Sequence, residues 1–168
     1  DNAGTQNFAF NGTITPGSNG YLFGSSRAAN YINLNNANSL TGANSLTVVP
    51  GSISKLRIQN ANDFTGDTLI NSGTLYITHN LAMQNSAIVT SGGGMMNITG
   101  ATTPTFGGLK GSTNITALIT TGYTAVTALT LNPGEGVTNS YSGAIADGAA
   151  GMTLTKTGAG TQVLGGAN

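Results

Sequence analysis

The feature that most narrows what this chain can fold into is that it repeats itself. Residues 154–168 read Leu-Thr-Lys-Thr-Gly-Ala-Gly-Thr-Gln-Val-Leu-Gly-Gly-Ala-Asn, a short strand, a Gly turn and a second short strand. Residues 60–75 open with Asn60 and the same Ala-Asn step, and continue where the C-terminal phrase stops, through Phe64-Thr65-Gly66-Asp67-Thr68 to Gly73-Thr74-Leu75. Ala61-Asn62 and Ala167-Asn168 stand 106 positions apart (62 to 168), a distance that divides into about five coils of ~20–25 residues. A unit of that size cannot bury its apolar face alone and needs neighbours stacked on it.

The rest of the chain has the same texture. Short β-prone runs are expected near Asn7-Phe10, Gly20-Phe23, Tyr31-Leu34, Ser45-Val49, Lys55-Ile58, Thr68-Ile70, Thr74-Thr78, Ala87-Thr90, Met95-Ile98, Ala117-Thr120, Ala128-Leu131, Tyr141-Ile145, Thr153-Thr155 and Thr161-Leu164. Bend chemistry stands between them, as in Pro16-Gly17-Ser18-Asn19-Gly20, Asn71-Ser72-Gly73 and Ser91-Gly92-Gly93-Gly94. Only Asn80-Ser86 has a mildly helical character. Charged residues make up 6% of the chain, against about 25% in an ordinary domain. Disorder usually pairs low hydrophobicity with high net charge, whereas this chain has net charge +0 and a mean hydropathy of +0.04. It should fold, and 26 Gly with no Trp point away from a bulky layered core and toward short stacked rungs.

Joined at Ala-Asn, the two phrases resemble the autotransporter-associated β-strand repeat, also called the passenger-associated transport repeat. Leu154-Thr155-Lys156, Gly158, Gly160-Thr161, Leu164, Gly166 and Asn168 match the first half of its pattern, and Thr65-Gly66, Thr68 and Gly73-Thr74-Leu75 the second. Phe64 stands at a Tyr position, Gln162 at a Leu and Asp67 at a Gly. The resemblance implies an all-β, right-handed parallel β-helix (β-solenoid) in a secreted passenger, and it brings no catalytic motif. The expected architecture is one solenoid segment over residues 1–168, with family-like halves at 60–75 and 154–168. About seven or eight coils would be roughly 35 Å long at ~4.8 Å per strand. Leu56, Ile58, Leu69, Leu75, Ile77, Leu154 and Leu164 should point inward, with Ile58 and Leu164 as equivalents. Stopping midway through the family phrase, the chain reads as part of a longer passenger or fibre.

Candidates for chemistry are few. Asp63 and Asp67 are the one neighbouring carboxylate pair and could serve acid/base work or bind Ca²⁺; the plainer reading is that both cap turns. Lys55 and Arg57 alternate with Leu56 and Ile58 and should face solvent near Asp63 or Asp67. His79, the sole histidine, follows a strand without a triad or second-His partner in sequence. Gly158-Ala159-Gly160 precedes a strand, and Leu109-Lys110-Gly111-Ser112-Thr113 lacks the Gly-Lys-Ser/Thr order of a phosphate loop, so both read as turns. Asn11-Gly12-Thr13, Asn97-Ile98-Thr99 and Asn114-Ile115-Thr116 fit the glycosylation triplet, which arises by chance in a chain this rich in Asn and Thr. Zero Cys excludes a disulfide framework and Cys-ligated zinc.

No catalytic, cofactor-binding or metal site is therefore assigned, and no cofactor is expected. The favoured function is a non-catalytic structural or adhesive stalk or fibre element at the bacterial cell surface or outside the cell. The alternatives are a carbohydrate-binding module stacking sugars on Tyr21, Tyr31, Tyr76, Tyr123 or Tyr141, and an enzyme degrading polysaccharide with Asp63 and Asp67. Expected partners are neighbouring coils of the same or identical chains, end to end, and host or matrix glycans. The near-zero charge speaks against nucleic acid, and no stretch approaches the ~20 apolar residues of a spanning helix.

Overall fold

Lys55-Leu56-Arg57-Ile58 shows how one rung is made. Successive side chains of a strand point to opposite faces, so Leu56 and Ile58 are buried while Lys55 and Arg57 stay half-buried outside. The next rung repeats it: Thr74-Leu75-Tyr76-Ile77 pairs in register, Leu56 beside Leu75 and Ile58 beside Ile77. The computed structural model describes residues 7–24, 31–50 and 55–166.

In chain order the strands are β1 (Phe8–Phe10), β2 (Tyr21–Phe23), β3 (Ile32–Leu34), β4 (Leu46–Val48), β5 (Lys55–Ile58), β6 (Thr68–Ile70), β7 (Thr74–Ile77), β8 (Met83–Val89), β9 (Met95–Asn97) and β10 (Thr105–Lys110). After them come a one-turn helix α1 (Ile115–Leu118), β11 (Ile119–Thr121), a 3₁₀ turn at Tyr123–Ala125, β12 (Ala128–Leu131), β13 (Thr138–Tyr141), β14 (Thr153–Lys156) and β15 (Thr161–Leu164). Odd strands β1 to β11 stack into a six-stranded sheet, and the even strands β2 to β14 into a seven-stranded one. β13 and β15 form a third, small sheet that joins the large one through a bridge between Tyr141 and Gly111. Every pairing of these strands is parallel. The result is a β-solenoid of about six turns. Side-chain bonds such as Tyr21 to Thr41, Leu40 to Asn62, Asn35 to Asn60 and Thr68 to Ser86 join neighbouring coils across 18 to 25 residues.

The core is one continuous stack. Leu34, Leu46, Leu56, Ile58, Ile70, Leu75, Ile77, Phe106, Leu129 and Tyr141 are among its fully enclosed members, each rung covering its neighbour's apolar row. Among the polar residues buried with it, the hydroxyls of Thr68 and Ser86 lie 2.7 Å apart, and Ser86 Oγ also donates to the Gly66 carbonyl at 2.7 Å. Satisfied in this way, they avoid the penalty of an unpaired buried hydroxyl.

Several expectations are corrected. Turns number about six instead of seven or eight: the seven strands of the larger sheet, from Tyr21 in β2 to Thr153 in β14, close six turns between the first and the last. Leu69 faces outward, since Thr68 and Ile70 are the buried members of β6. Leu154 and Leu164 are 42% and 40% exposed. They pair with the buried Leu129 and Tyr141, so they continue the core rows, but no described residue lies beyond them. Ile58 and Leu164 are not equivalents, since they belong to different sheets. β10 is an unexpected strand, β8 starts within the stretch read as mildly helical, α1 replaces part of an expected strand, and β13 ends where one was expected to begin. Ala167-Asn168 lie outside the described residues.

Candidate functional site

Asp67 precedes β6 and Lys110 ends β10, on the outer face of the seven-stranded sheet. Lys110 Nζ donates to both carboxylate oxygens of Asp67, at 2.8 and 2.7 Å. This is the one ion pair among the described residues. Asp67 lines a cavity of about 100 Å³ with Thr65, Asn85, Gly107 and Val137. Asp63 is not among its walls; it is exposed, and the next side chain, Phe64, is buried. The two carboxylates therefore do not share this cavity. Among the described residues no three of His, Cys, Asp or Glu gather closely enough to hold a metal ion. His79 Nδ1 accepts the Leu81 backbone N–H at 3.1 Å, fixing the turn after β7.

The repeated phrase is spent on stacking. Asn62 is buried between coils: its Oδ1 accepts from Leu40 N at 3.0 Å, and its Nδ2 donates to the Asn60 carbonyl at 3.0 Å and the Ala82 carbonyl at 3.5 Å. It thus ties its own turn to the one before and the one after. Phe64, at the family's Tyr position, is buried edge-on to Tyr21, with ring centroids 6.4 Å apart. Gly66 passes so close to the previous coil that a Cβ there would lie 2.3 Å from the Asn44 carbonyl. In the second phrase Lys156 Nζ donates to the Thr157 and Gly158 carbonyls, both at 3.0 Å, and Gly160 crosses the Gly134 carbonyl with no room for a side chain.

A family model for the passenger-associated-transport repeat matches residues 54–77 and 154–168. The chain carries the passenger-associated-transport repeat. The first match covers β5, β6 and β7, the second β14 and β15. No curated protein and no solved structure matches the chain. Repeat and solenoid together fit an autotransporter passenger segment.

Outside the matched phrases the repeat protein corrects three of the five proposed sugar platforms. Tyr21, Tyr123 and Tyr141 are core residues. Tyr21 Oη donates to the Thr41 carbonyl at 3.1 Å and accepts from Thr41 N. Tyr123 Oη donates to the Ala146 carbonyl at 2.6 Å, and Tyr141 Oη reaches the Thr113 and Ala144 carbonyls at 2.8 and 3.1 Å. Burial, with Tyr141 and Asp147 adding, pushes the Tyr123 hydroxyl up to about 12, and burial also raises that of Tyr141. The remaining two, Tyr31 and Tyr76, meet on the outer face of the six-stranded sheet, edge to face with centroids 5.1 Å apart. Lys55 and Arg57 lie outside as expected, but against these rings and not against Asp63 or Asp67. Lys55 Nζ is 5.1 Å from the Tyr31 ring, and Arg57 Cζ is 4.1 Å from that ring and 5.7 Å from Tyr76. Sequence reasoning named all four residues but not their meeting. Arg57 pairing with Tyr76 across adjacent strands is visible only once the rung register is known.

Proposed function

We propose that this chain is a non-catalytic structural segment of a secreted or cell-surface autotransporter-like passenger, a rigid stalk or building block of an extracellular fibre. The observation that carries this reading is the use made of the repeat: Asn62, Phe64, Gly66, Lys156 and Gly160 all join coils or close turns. The acids support it too. Glycoside hydrolysis by the usual route needs two carboxyl groups about 5–9.5 Å apart across a cleft, and here Asp67 is held by Lys110 while Asp63 is not part of its cavity.

The outermost described coil presents Leu154 and Leu164 in register with the rows beneath. A further coil, from the same chain or an identical one, would cover them. Sedimentation of the 168-residue chain against a Leu154→Lys, Leu164→Lys variant tests this: concentration-dependent association should weaken in the variant, and equal behaviour of the two would remove end-to-end contact from the reading. Depolymerisation of a polysaccharide by the wild-type chain, abolished by Asp63→Asn with Asp67→Asn, would overturn the non-catalytic role.

A further inference from the structure

We propose that the outer face of the six-stranded sheet around Arg57 binds an acidic carbohydrate, a sugar ring carrying a carboxylate or sulfate. Parallel register aligns Asn33, Arg57, Tyr76 and Asn97 across four successive strands, so one outward row holds a guanidinium, a phenol ring and two amides. Tyr31 and Lys55 flank it. In a chain with so few charges, two cations gather at one aromatic pair, and neither has a carboxylate partner among the described residues. Among the described residues the Arg57 guanidinium lies against the two rings and meets no carboxylate, and its donor fork is geometrically matched to a carboxylate or sulfate.

The surroundings suit a sugar more than a bare ion. Arg57, Gln59, Tyr76, Thr78, Asn97 and Thr99 line an open groove of about 390 Å³, where an aromatic ring stands among amide and hydroxyl groups. A pyranose has that duality, with apolar C–H faces for the ring and a rim of hydroxyls for amides. A second observation is independent of charge. Asn33 is 7% exposed, and its Oδ1 is buried with no hydrogen-bond partner, a state that leaves an acceptor short of a donor. A sugar hydroxyl could supply that donor when the Arg57 side chain, without a carboxylate partner among the described residues, swings onto the anionic group. The stalk or fibre role stands or falls separately, because it rests on the coil-joining residues and not on this face.

Titration calorimetry on the whole chain tests the site with tetragalacturonate and a sulfated heparin tetrasaccharide, using cellotetraose as the neutral control. Binding of at least one anionic probe is expected, weakening as sodium chloride rises. It should fall about tenfold or more in Arg57→Gln, the loss of one charged hydrogen-bonding partner, and in Tyr76→Ala, and be unchanged in Lys156→Gln. Which anionic probe binds separates carboxylate from sulfate recognition. Circular dichroism of each variant guards against misfolding, and Arg57→Lys, which keeps the charge without the fork, should recover only part of the affinity. The proposal is overturned if neither anionic probe binds, if cellotetraose binds equally well, or if a folded Arg57→Gln variant binds as the wild type does.

Discussion

Asn62 is the residue on which the stacking most visibly turns. Its amide serves an N–H of the preceding coil and a carbonyl of the following one, so truncation leaves buried backbone groups unpaired on both sides. Asn62→Ala should lower stability by about 2–4 kcal/mol, since each orphaned group costs ~1–3 kcal/mol; urea unfolding would measure it, and a loss below half a kcal/mol would contradict the bridging role. The buried tyrosines make a different prediction. An unfolded tyrosine loses its proton near 10, whereas Tyr123 holds its own up to about 12. Between those values the unfolded chain has released a proton that the folded one retains, so stability is fully present below pH ~10 and declines as pH rises toward 12. Melting temperature against pH should show that decline, and Tyr123→Phe should flatten it while lowering stability at neutral pH through the lost bond to Ala146.

At the scale of the strand, burial follows from neighbours and not from hydrophobicity alone. Leu75 and Leu154 occupy comparable inward rows, but Leu75 has rungs on both sides and Leu154 on one. Leu75→Ala should cost about 2–5 kcal/mol and Leu154→Ala under about 1 kcal/mol, a contrast that thermal unfolding of the two variants would check. The same logic explains what could be read in advance. Rungs such as Lys55–Ile58 and Thr74–Ile77 announce themselves by strict alternation with two aliphatics inside. β6 misled because its inward pair is Thr68 and Ile70, the threonine being satisfied by Ser86 from the next rung, a partner no local pattern reveals. β10 stayed hidden because Gly107 and Gly108 interrupt it. Gly107 is there because a Cβ would strike the Asn85 backbone at 2.3 Å, and Gly108, with φ +145°, because Asn139 fills the space of its side chain. The outer patch of Tyr31, Arg57 and Tyr76 was legible as residue types, while their juxtaposition needed the step from β3 to β5 and from β5 to β7.

At the scale of the whole molecule, rungs are fixed and corners are not. Between Leu131 and Thr138 the chain turns a corner whose base is covered by the next coil, Gly160 N donating to the Pro133 carbonyl at 3.0 Å, while its tip at Glu135-Gly136 is exposed; β13 then pairs with β15, and Tyr141 bridges to Gly111. The seven-stranded sheet continues beside it undisturbed, with β14 in register on β12. Length can therefore be added at a corner without shifting the inside-outside phase of the next rung. Four residues of Gly and Ser inserted after Glu135, where nothing lies within 4 Å of a Cβ placed on Gly136, should cost at most about 1 kcal/mol, because loop-closure entropy grows slowly with length. A single residue inserted between Leu75 and Tyr76 should abolish cooperative unfolding, because it would turn Tyr76 inward and Ile77 outward. Comparable losses from both insertions, seen by calorimetry, would refute the distinction. In the vocabulary of coding, the solenoid tolerates insertions between words and not within them, so a surface such as this can change its outline freely while its spine keeps the same reading frame.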